Sequence, residues 1–256
     1  MKWNMYVAGL DIGSQSICAV IWDGARICGA ALSPSGVNPK KRAEETLRQA
    51  LEEAEIRGEA LGKVVATGYG RYEVEADLRL SEISCQARGV IFFFPEVRTI
   101  IDIGGQDSKV IRVNPKNGKV LDFLMNDKCA AGTGRFLELM ARVLEIDLSD
   151  YGILTEKSRE AVTLSSTCAV FAESELVGLI AQGKDRADLA AAVCRAVARR
   201  VVHLAERLEI TPPLVVTGGV AKNQGVISLL EKETGLKVLT PPEPLLTGAL
   251  GACLSL

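Results

Sequence analysis

The chain has 256 residues, 48% apolar and 24% charged, with a formal net charge of −2. That is enough for one large domain or two modest ones around a sizeable core, in the composition range of ordinary globular proteins. The near-neutral balance gives no electrostatic reason to expect a nucleic acid or an anionic membrane as partner.

Residues 1–6 run straight into a strand without a signal-peptide apolar core, and no window of about 18 apolar residues predicts a transmembrane helix. A cytoplasmic location is expected. Residues 7–12 read as an apolar strand with Asp11 near its end, followed by a turn at Gly13-Ser14. Residues 17–22 form a second strand, Asp23-Gly24 is a two-residue hairpin signal, and residues 26–32 complete a meander. Residues 40–57 read as a helix with Leu47, Leu51 and Ala54 on its apolar face. A strand at 64–67 leads into the glycine-rich turn Gly68-Tyr69-Gly70, residues 81–90 look helical, and Pro95 closes the first region.

The chain then repeats itself. Ile101-Asp102-Ile103-Gly104-Gly105-Gln106 restates Leu10-Asp11-Ile12-Gly13-Ser14-Gln15 at an offset of 91, and Asn117-Gly118 restates the Asp23-Gly24 turn. Such a duplication predicts two similar α/β lobes facing each other across a cleft. Residues 1–96 with 243–256 would form the first lobe and 97–242 the second. Glycine lets the backbone turn tightly and approach a phosphate. Asp11 and Asp102, at strand ends, are suited to hold Mg²⁺ through its waters. Ser14, Gln15 and Ser16 can donate to nucleotide phosphates, and Gln106 is placed to orient an attacking water. Two such hairpins would clamp a triphosphate.

Cys129 follows, four residues before Thr133 in a Gly132-Thr133-Gly134 turn that enters a helix. Such a turn presents backbone N–H groups and a positive dipole end to an anion. A thiol just ahead of it suggests coupling between nucleotide and redox centre; the plainer alternative is a buried cysteine beside an ordinary helix start. Residues 155–159 read as a helix start, and Cys168 is expected at a strand-to-helix junction. Residues 188–208 read as a long helix whose apolar stripe is core. The strand 214–216 runs into Thr217-Gly218-Gly219-Val220, where a bare backbone can lie flat against an adenosine. A stiff Pro241-Pro242-Glu243-Pro244 connector precedes a terminal helix over 245–256 that returns to the first lobe. The seven cysteines are scattered without a CxxC pair, so neither a disulfide framework nor a local zinc site is indicated. A metal role would need cysteines far apart in sequence or from two chains. His203, the single histidine, reads as a helix-surface residue, which disfavours a histidine general base.

On these residues the chain resembles the sugar kinase, heat-shock protein and actin ATPase superfamily. The carriers are Asp11-Ile12-Gly13-Ser14, Asp102-Ile103-Gly104-Gly105-Gln106-Asp107 and Thr217-Gly218-Gly219-Val220. Within it, the segments 102–109, 126–136 and 165–175 are similar to the ATP-dependent activators of 2-hydroxyacyl-CoA dehydratases. That resemblance implies a homodimer sharing one oxygen-sensitive [4Fe–4S] cluster, two cysteines from each subunit, matched here by Cys129 and Cys168. It implies that ATP hydrolysis to ADP drives one low-potential electron onto an iron–sulfur dehydratase, a related reductase or a double-cubane-cluster protein. A ferredoxin or flavodoxin would be the donor. Three positions depart from the family: Ile17-Cys18 stands where a lysine is common, Gln86 where histidine is expected, and Leu245-Leu246 where a more polar pair is usual. A small-molecule kinase of the same superfamily is the rival reading, though residues 60–96 leave little room for a sugar site and it gives Cys129 and Cys168 no role. A nucleotide-sensing scaffold without turnover is the third.

Overall fold

The computed structural model describes residues 6–165 and 168–256. The chain opens with the antiparallel meander β1 (Tyr6–Ile12), β2 (Ser16–Trp22) and β3 (Ile27–Pro34), followed by α1 (Pro39–Glu53). Next come β4 (Leu61–Thr67), parallel to β1, then the short β5 (Leu78–Arg79) and α2 (Glu82–Phe93). A second meander is built from β6 (Thr99–Ile103), β7 (Ser108–Val113) and β8 (Val120–Asn126). The helices α3 (Gly134–Leu144), α4 (Asp150–Lys157), α5 (Ala169–Ala181) and α6 (Arg186–Glu206) follow. The chain finishes with β9 (Leu214–Thr217), α7 (Gln224–Thr234), β10 (Val238–Leu239) and α8 (Thr247–Cys253). Two mixed five-stranded sheets result, ordered β3-β2-β1-β4-β5 and β10-β9-β6-β7-β8. The fold is α/β, two such sheets flanked by helices. The chain divides into two compact units: one runs to Val97 and takes in Val113–Leu121 and Pro241–Leu256, and the other holds Arg98–Arg112 and Asp122–Thr240.

In the first unit β2 is buried on both faces, and its alternation sorts the side chains. Ile17, Ala19 and Ile21 join Ala43 and Ala50 of α1 in one cluster, while Cys18, Val20 and Trp22 join Ala249, Leu250 and Cys253 of α8 in another. Asn38 caps α1 by accepting the Lys41 N–H, and Pro39 opens it, where a missing N–H costs nothing. The helix stops at Glu53, short of the expected residue 57. There Ile56 N–H returns to the Leu51 carbonyl and Glu55 adopts the left-handed conformation at φ 56°.

The second unit packs α3, α4, α5, α6 and α7 with β6 and β9 into one large cluster including Ile101, Ile103, Met140, Leu176, Val197 and Leu230. Two local expectations fail here. Residues 155–159 close α4 rather than open a helix. Residues 161–165 form no strand, so Cys168 stands at a loop-to-helix junction; the expected strand's last residues, Ser166 and Thr167, lie outside the described ones. The loop is held by side chains instead of a strand neighbour. Asp188 Oδ1 accepts from Ser158 Oγ and the Arg159 and Glu160 N–H groups, Arg195 donates to Val162 O, and Glu175 accepts from Ser165 N–H and Oγ.

The C-terminal helix is shorter than expected, beginning at Thr247. It lies against β1 and α2 at van der Waals contact because the facing residues are glycines. A Cβ on Gly251 would come within 1.7 Å of the Cys85 carbonyl oxygen, and one on Gly9 or Gly89 within 1.9 Å of the Ala249 or Thr247 oxygen. Gly178 in α5, by contrast, has open space where its Cβ would be. Gly251→Ala should therefore destabilise the chain by about 3 kcal/mol, the upper range for overpacking. Gly178→Ala should leave it unchanged or stabilise it by up to about 1 kcal/mol through helix propensity. Urea unfolding of the two variants would check both.

Candidate functional site

Each unit carries one hairpin turn of the same construction. In the first, Gly13 N–H donates to the Ser16 carbonyl at 2.9 Å, and Ser35 fastens the turn from outside through Oγ to Gly13 O (2.7 Å) and N–H to Gln15 O (3.0 Å). Ser14 is exposed, and Gln15 and Ser16 are half-buried. Asp11, half-buried near the end of β1, pairs with Thr67 on β4, and Gly68 follows at φ +85°. A Cβ on Gly68 would lie 2.4 Å from Asp11 Oδ1, and one on Gly248 2.1 Å from Asp11 Oδ2 and 3.2 Å from Gln86 Oε1. The Asp11 carboxylate thus sits among backbones bare of side chains, and Gln86, read from the sequence as a departure from an expected histidine, faces the same glycine.

In the second unit Gly104 N–H donates to the Asp107 carbonyl at 3.0 Å, the same bond 91 positions on. Asp102 pairs with Thr217 on β9, and Gly218 follows at φ +80°; its Cβ would lie 2.3 Å from Ile103 O and 3.0 Å from Asp102 Oδ1. Here the carboxylate is fully engaged. Thr217 Oγ1 donates to Asp102 Oδ1 at 2.9 Å, and Lys109 Nζ lies 3.5 Å from Asp102 Oδ2 and 2.8 Å from Asp107 Oδ2. Lys109 is only 2% exposed, so its charge is spent on these two acids. Gln106 is exposed at the tip of the turn.

The Gly132-Thr133-Gly134 turn stands against this hairpin. Gly134 N–H donates to Gly104 O at 2.9 Å and Arg135 N–H to Gly105 O at 2.8 Å. Two of the N–H groups expected to face an anion at the start of α3 are therefore occupied by the hairpin's own carbonyls. Gly134 is closely approached: its Cβ would lie 3.3 Å from Gly104 O, 3.4 Å from Gly105 Cα and 3.6 Å from Val220 Cγ2. Gly132, at φ +88°, is pressed against Arg200. Asp102, Gly104, Gly105, Asp107, Gly134, Gly218 and Val220 form one constellation, continued by Gly219 in a short 3₁₀ turn (Gly219–Lys222).

Cys129 is half-buried in the turn ahead of α3, and exposed Cys168 caps α5 through its carbonyl, which accepts the Ala172 N–H. α3 and α5 pack on each other. The other cysteines are differently placed. Cys18, Cys85, Cys194 and Cys253 are buried, and burial pushes the thiols of Cys194 and Cys253 up to about 12. Half-buried Cys28 is also raised by burial. Among the described residues no group of three or more His, Cys, Asp or Glu side chains comes together as a metal site. No described helix is long and apolar enough to cross a membrane.

Lys109 and Gly68 had no site role assigned from the sequence, and Thr217 was read only as part of the adenosine turn. The signal was there: both Thr-Gly pairs, 67–68 and 217–218, end a strand parallel to an aspartate-bearing one. A lysine inside an apolar strand segment is itself a mark of a buried ionic partner.

The sequence matches the BadF/BadG/BcrA/BcrD ATPase family over residues 8–255. It is 46% identical over 254 residues to the (R)-2-hydroxyglutaryl-CoA dehydratase activating ATPase of Acidaminococcus fermentans, covering 98% of this chain and 96% of that protein. It is 43% identical over 251 residues to the 2-hydroxyisocaproyl-CoA dehydratase activator of Clostridioides difficile, covering 98% and 94%. The crystal structure of the Acidaminococcus fermentans (R)-2-hydroxyglutaryl-CoA dehydratase component A matches with a TM-score of 0.93 at 44% identity, over 98% of this chain and 96% of that one. The activator of the 2-hydroxyisocaproyl-CoA dehydratase from Clostridium difficile with bound ADPNP matches at 0.91 and 44%, over 98% and 93%. A ROK family glucokinase from Streptomyces griseus, 14% identical with a TM-score of 0.60 over 97% and 98% of the two chains, shares the fold alone.

Lys109→Met strands Asp102 and Asp107 without their shared cation and should cost about 3 kcal/mol in urea unfolding, as breaking a buried pair does; Lys109→Arg should recover part of it. The Asp188 carboxyl is held below its ordinary value, first by the Glu160 N–H and, against the opposing pull of burial, by Arg159 N–H and Ser158. A depressed carboxylate stabilises above its unfolded pKa and loses that contribution as pH falls through the folded value. The Tm gap between wild type and Asp188→Asn should therefore be full at neutral pH and close below about pH 4.

Proposed function

We propose a function on this premise: the chain belongs to the BadF/BadG/BcrA/BcrD ATPase family. It hydrolyses ATP and, as a homodimer, activates an iron–sulfur dehydratase or reductase by passing it one low-potential electron taken from a ferredoxin or flavodoxin. The relatives named as activators of 2-hydroxyacyl-CoA dehydratases support a partner of that kind.

Ser14, Gln15, Ser16 and the Gly104-Gly105 backbone bind the phosphates. Asp11 holds the water shell of Mg²⁺, an ion that keeps much of its hydration. Asp102 would contribute to such a shell with its oxygens already bonded to Thr217 and Lys109. Gln106, exposed at the hairpin tip, orients the hydrolytic water. Gly218, Gly219 and Val220 lie against the adenosine.

Cys129 and Cys168 would hold a [4Fe–4S] cluster, two thiolates from each subunit making the required four. The donor set fits. Of the described cysteines these two stand just ahead of packed helices, one half-buried and one exposed, and the helix start favours the negative charge of a thiolate-bound centre. Bound there, the cluster supplies one-electron transfer. A second copy also has apolar surface to cover, because Val170 and Phe171, directly after Cys168, are 67% and 68% exposed.

The observation that carries the reading is the pair of hydrogen bonds from Gly134 and Arg135 to Gly104 and Gly105, which joins a phosphate hairpin to the element that bears Cys129. The first test is iron and acid-labile sulfide after anaerobic purification, with about four irons per dimer expected for one shared cluster. Gln106→Ala should slow hydrolysis about a hundredfold, the lower range for positioned proton-transfer groups, and retain iron. Cys129→Ser and Cys168→Ser should each lose the iron and keep nucleotide binding. Full iron in both cysteine variants would overturn the ligand assignment.

A further inference from the structure

We infer that Asn126 is a positioning residue, the brace through which the second phosphate hairpin sets the conformation of the Cys129 turn. The inference rests on the nucleotide-driven activator reading and names the side chain that performs its coupling step.

Asn126 ends β8, and β8 lies beside β7, the strand that leaves the Gly104–Asp107 turn. Its amide nitrogen donates to the Cys129 carbonyl at 3.0 Å and to the Ala131 carbonyl at 3.2 Å, which uses both of its N–H donors. The carbonyl between them, Ala130, accepts the Thr133 N–H at 3.1 Å and the Thr133 hydroxyl at 2.6 Å. Every backbone carbonyl from Cys129 to Ala131 is thus engaged within the turn. At its far end the turn enters α3, whose first N–H groups, on Gly134 and Arg135, are held by the carbonyls of Gly104 and Gly105. The nine residues from Asn126 to Gly134 are therefore fastened to the hairpin at both ends, by strand pairing at one and by paired hydrogen bonds at the other.

A segment anchored at both ends cannot ignore a shift of its anchor. If nucleotide contacts move the Gly104-Gly105 backbone, the displacement reaches the start of α3 directly. The turn must then either move as a body or bend, and the Asn126 amide makes it move as a body by fixing the carbonyls on either side of Ala130. A carboxylate at 126 has the same shape and no donors, so it would face two carbonyls with like partial charge. The coupling would be lost while the phosphate-binding residues stay as they are. The two arrangements that a coupling path requires would be the positions of this turn in the two nucleotide states, between the same two anchors.

The test uses the full chain in iron-free form, so that the readout is the thiol itself. Cys129 alkylation by iodoacetamide is timed by peptide mass spectrometry in MgADP and in the Mg²⁺ complex of a non-hydrolysable ATP analogue. Calorimetry on the same samples measures binding. In wild type the two rates should differ at least about fivefold, the low end of usual coupling factors. In Asn126→Asp they should become equal while both nucleotides bind as before, and Asn126→Ser provides the same comparison should the first variant not fold. A merely structural asparagine would change the rate in both nucleotides alike and leave their ratio intact, and that result would overturn the inference. Equal rates in wild type with both nucleotides bound would overturn it too. Absence of nucleotide binding in wild type would instead bring down the activator reading, and the inference with it.

Discussion

A carboxylate near the end of a central strand can serve a phosphate site only if the neighbouring chain leaves it uncovered, and in this fold glycine does the uncovering. Asp11 and Asp102 each pair with a threonine on a parallel strand, and each threonine is followed by a glycine at positive φ. Any side chain on Gly68 or Gly218 would strike the carboxylate and the carbonyl of the isoleucine after it. The left-handed conformation there is open to glycine at little cost and to other residues only under strain. Much of the surrounding architecture serves the same approach. Gly248 brings the start of α8 against Asp11, and Gly134 brings the start of α3 against the second hairpin.

The duplication copies this geometry and not its charge. The residue opposite Asp11 on β2 is Cys18, and the residue opposite Asp102 on β7 is Lys109. The lysine expected in the first hairpin is thus absent, while a lysine at the corresponding position of the repeat is present and buried. Between Asp102 and Asp107 that lysine offsets part of the cost of keeping two acids close together away from water. The two hairpins therefore differ in charge: the second holds a lysine between its two acids, and the first keeps a carboxylate whose strand partner brings no charge.

What the sequence made legible divides along physical lines. Strands, hairpin turns and the internal repeat could be read because alternation, Asp-Gly signals and a restated hexapeptide are local patterns. The element ends were less legible, because they are set by distant partners. Residues 161–165 carry an apolar, β-branched pattern, yet Arg195 and Glu175 fix them as a loop, and nothing nearby in sequence announces those two side chains. α1 ends where Glu55 turns left-handed, against a sequence that favours helix beyond it. At the site, the acids, glycines and cysteines were recognisable as residue types. The Lys109 bridge and the use of α3's first N–H groups were not, because each depends on which backbone atoms the fold brings together.

That last point bears on how nucleotide and thiol communicate. A free helix N-terminus would bind a phosphate directly, and the Cys129 element would then sense nucleotide by contact. Here the hairpin's carbonyls occupy N–H groups of α3, so the helix reads the hairpin instead of the ligand. A backbone hydrogen bond of 2.8–2.9 Å is of ordinary length and directional, and a pair of them resists both sliding and rotation. Displacement of a glycine turn, the most deformable piece of the hairpin, is thereby delivered to a helix, among the least deformable pieces of a fold. Cys129 rides on the segment between them, so under the proposed coupling a shift of the hairpin would become a change in the thiol's position.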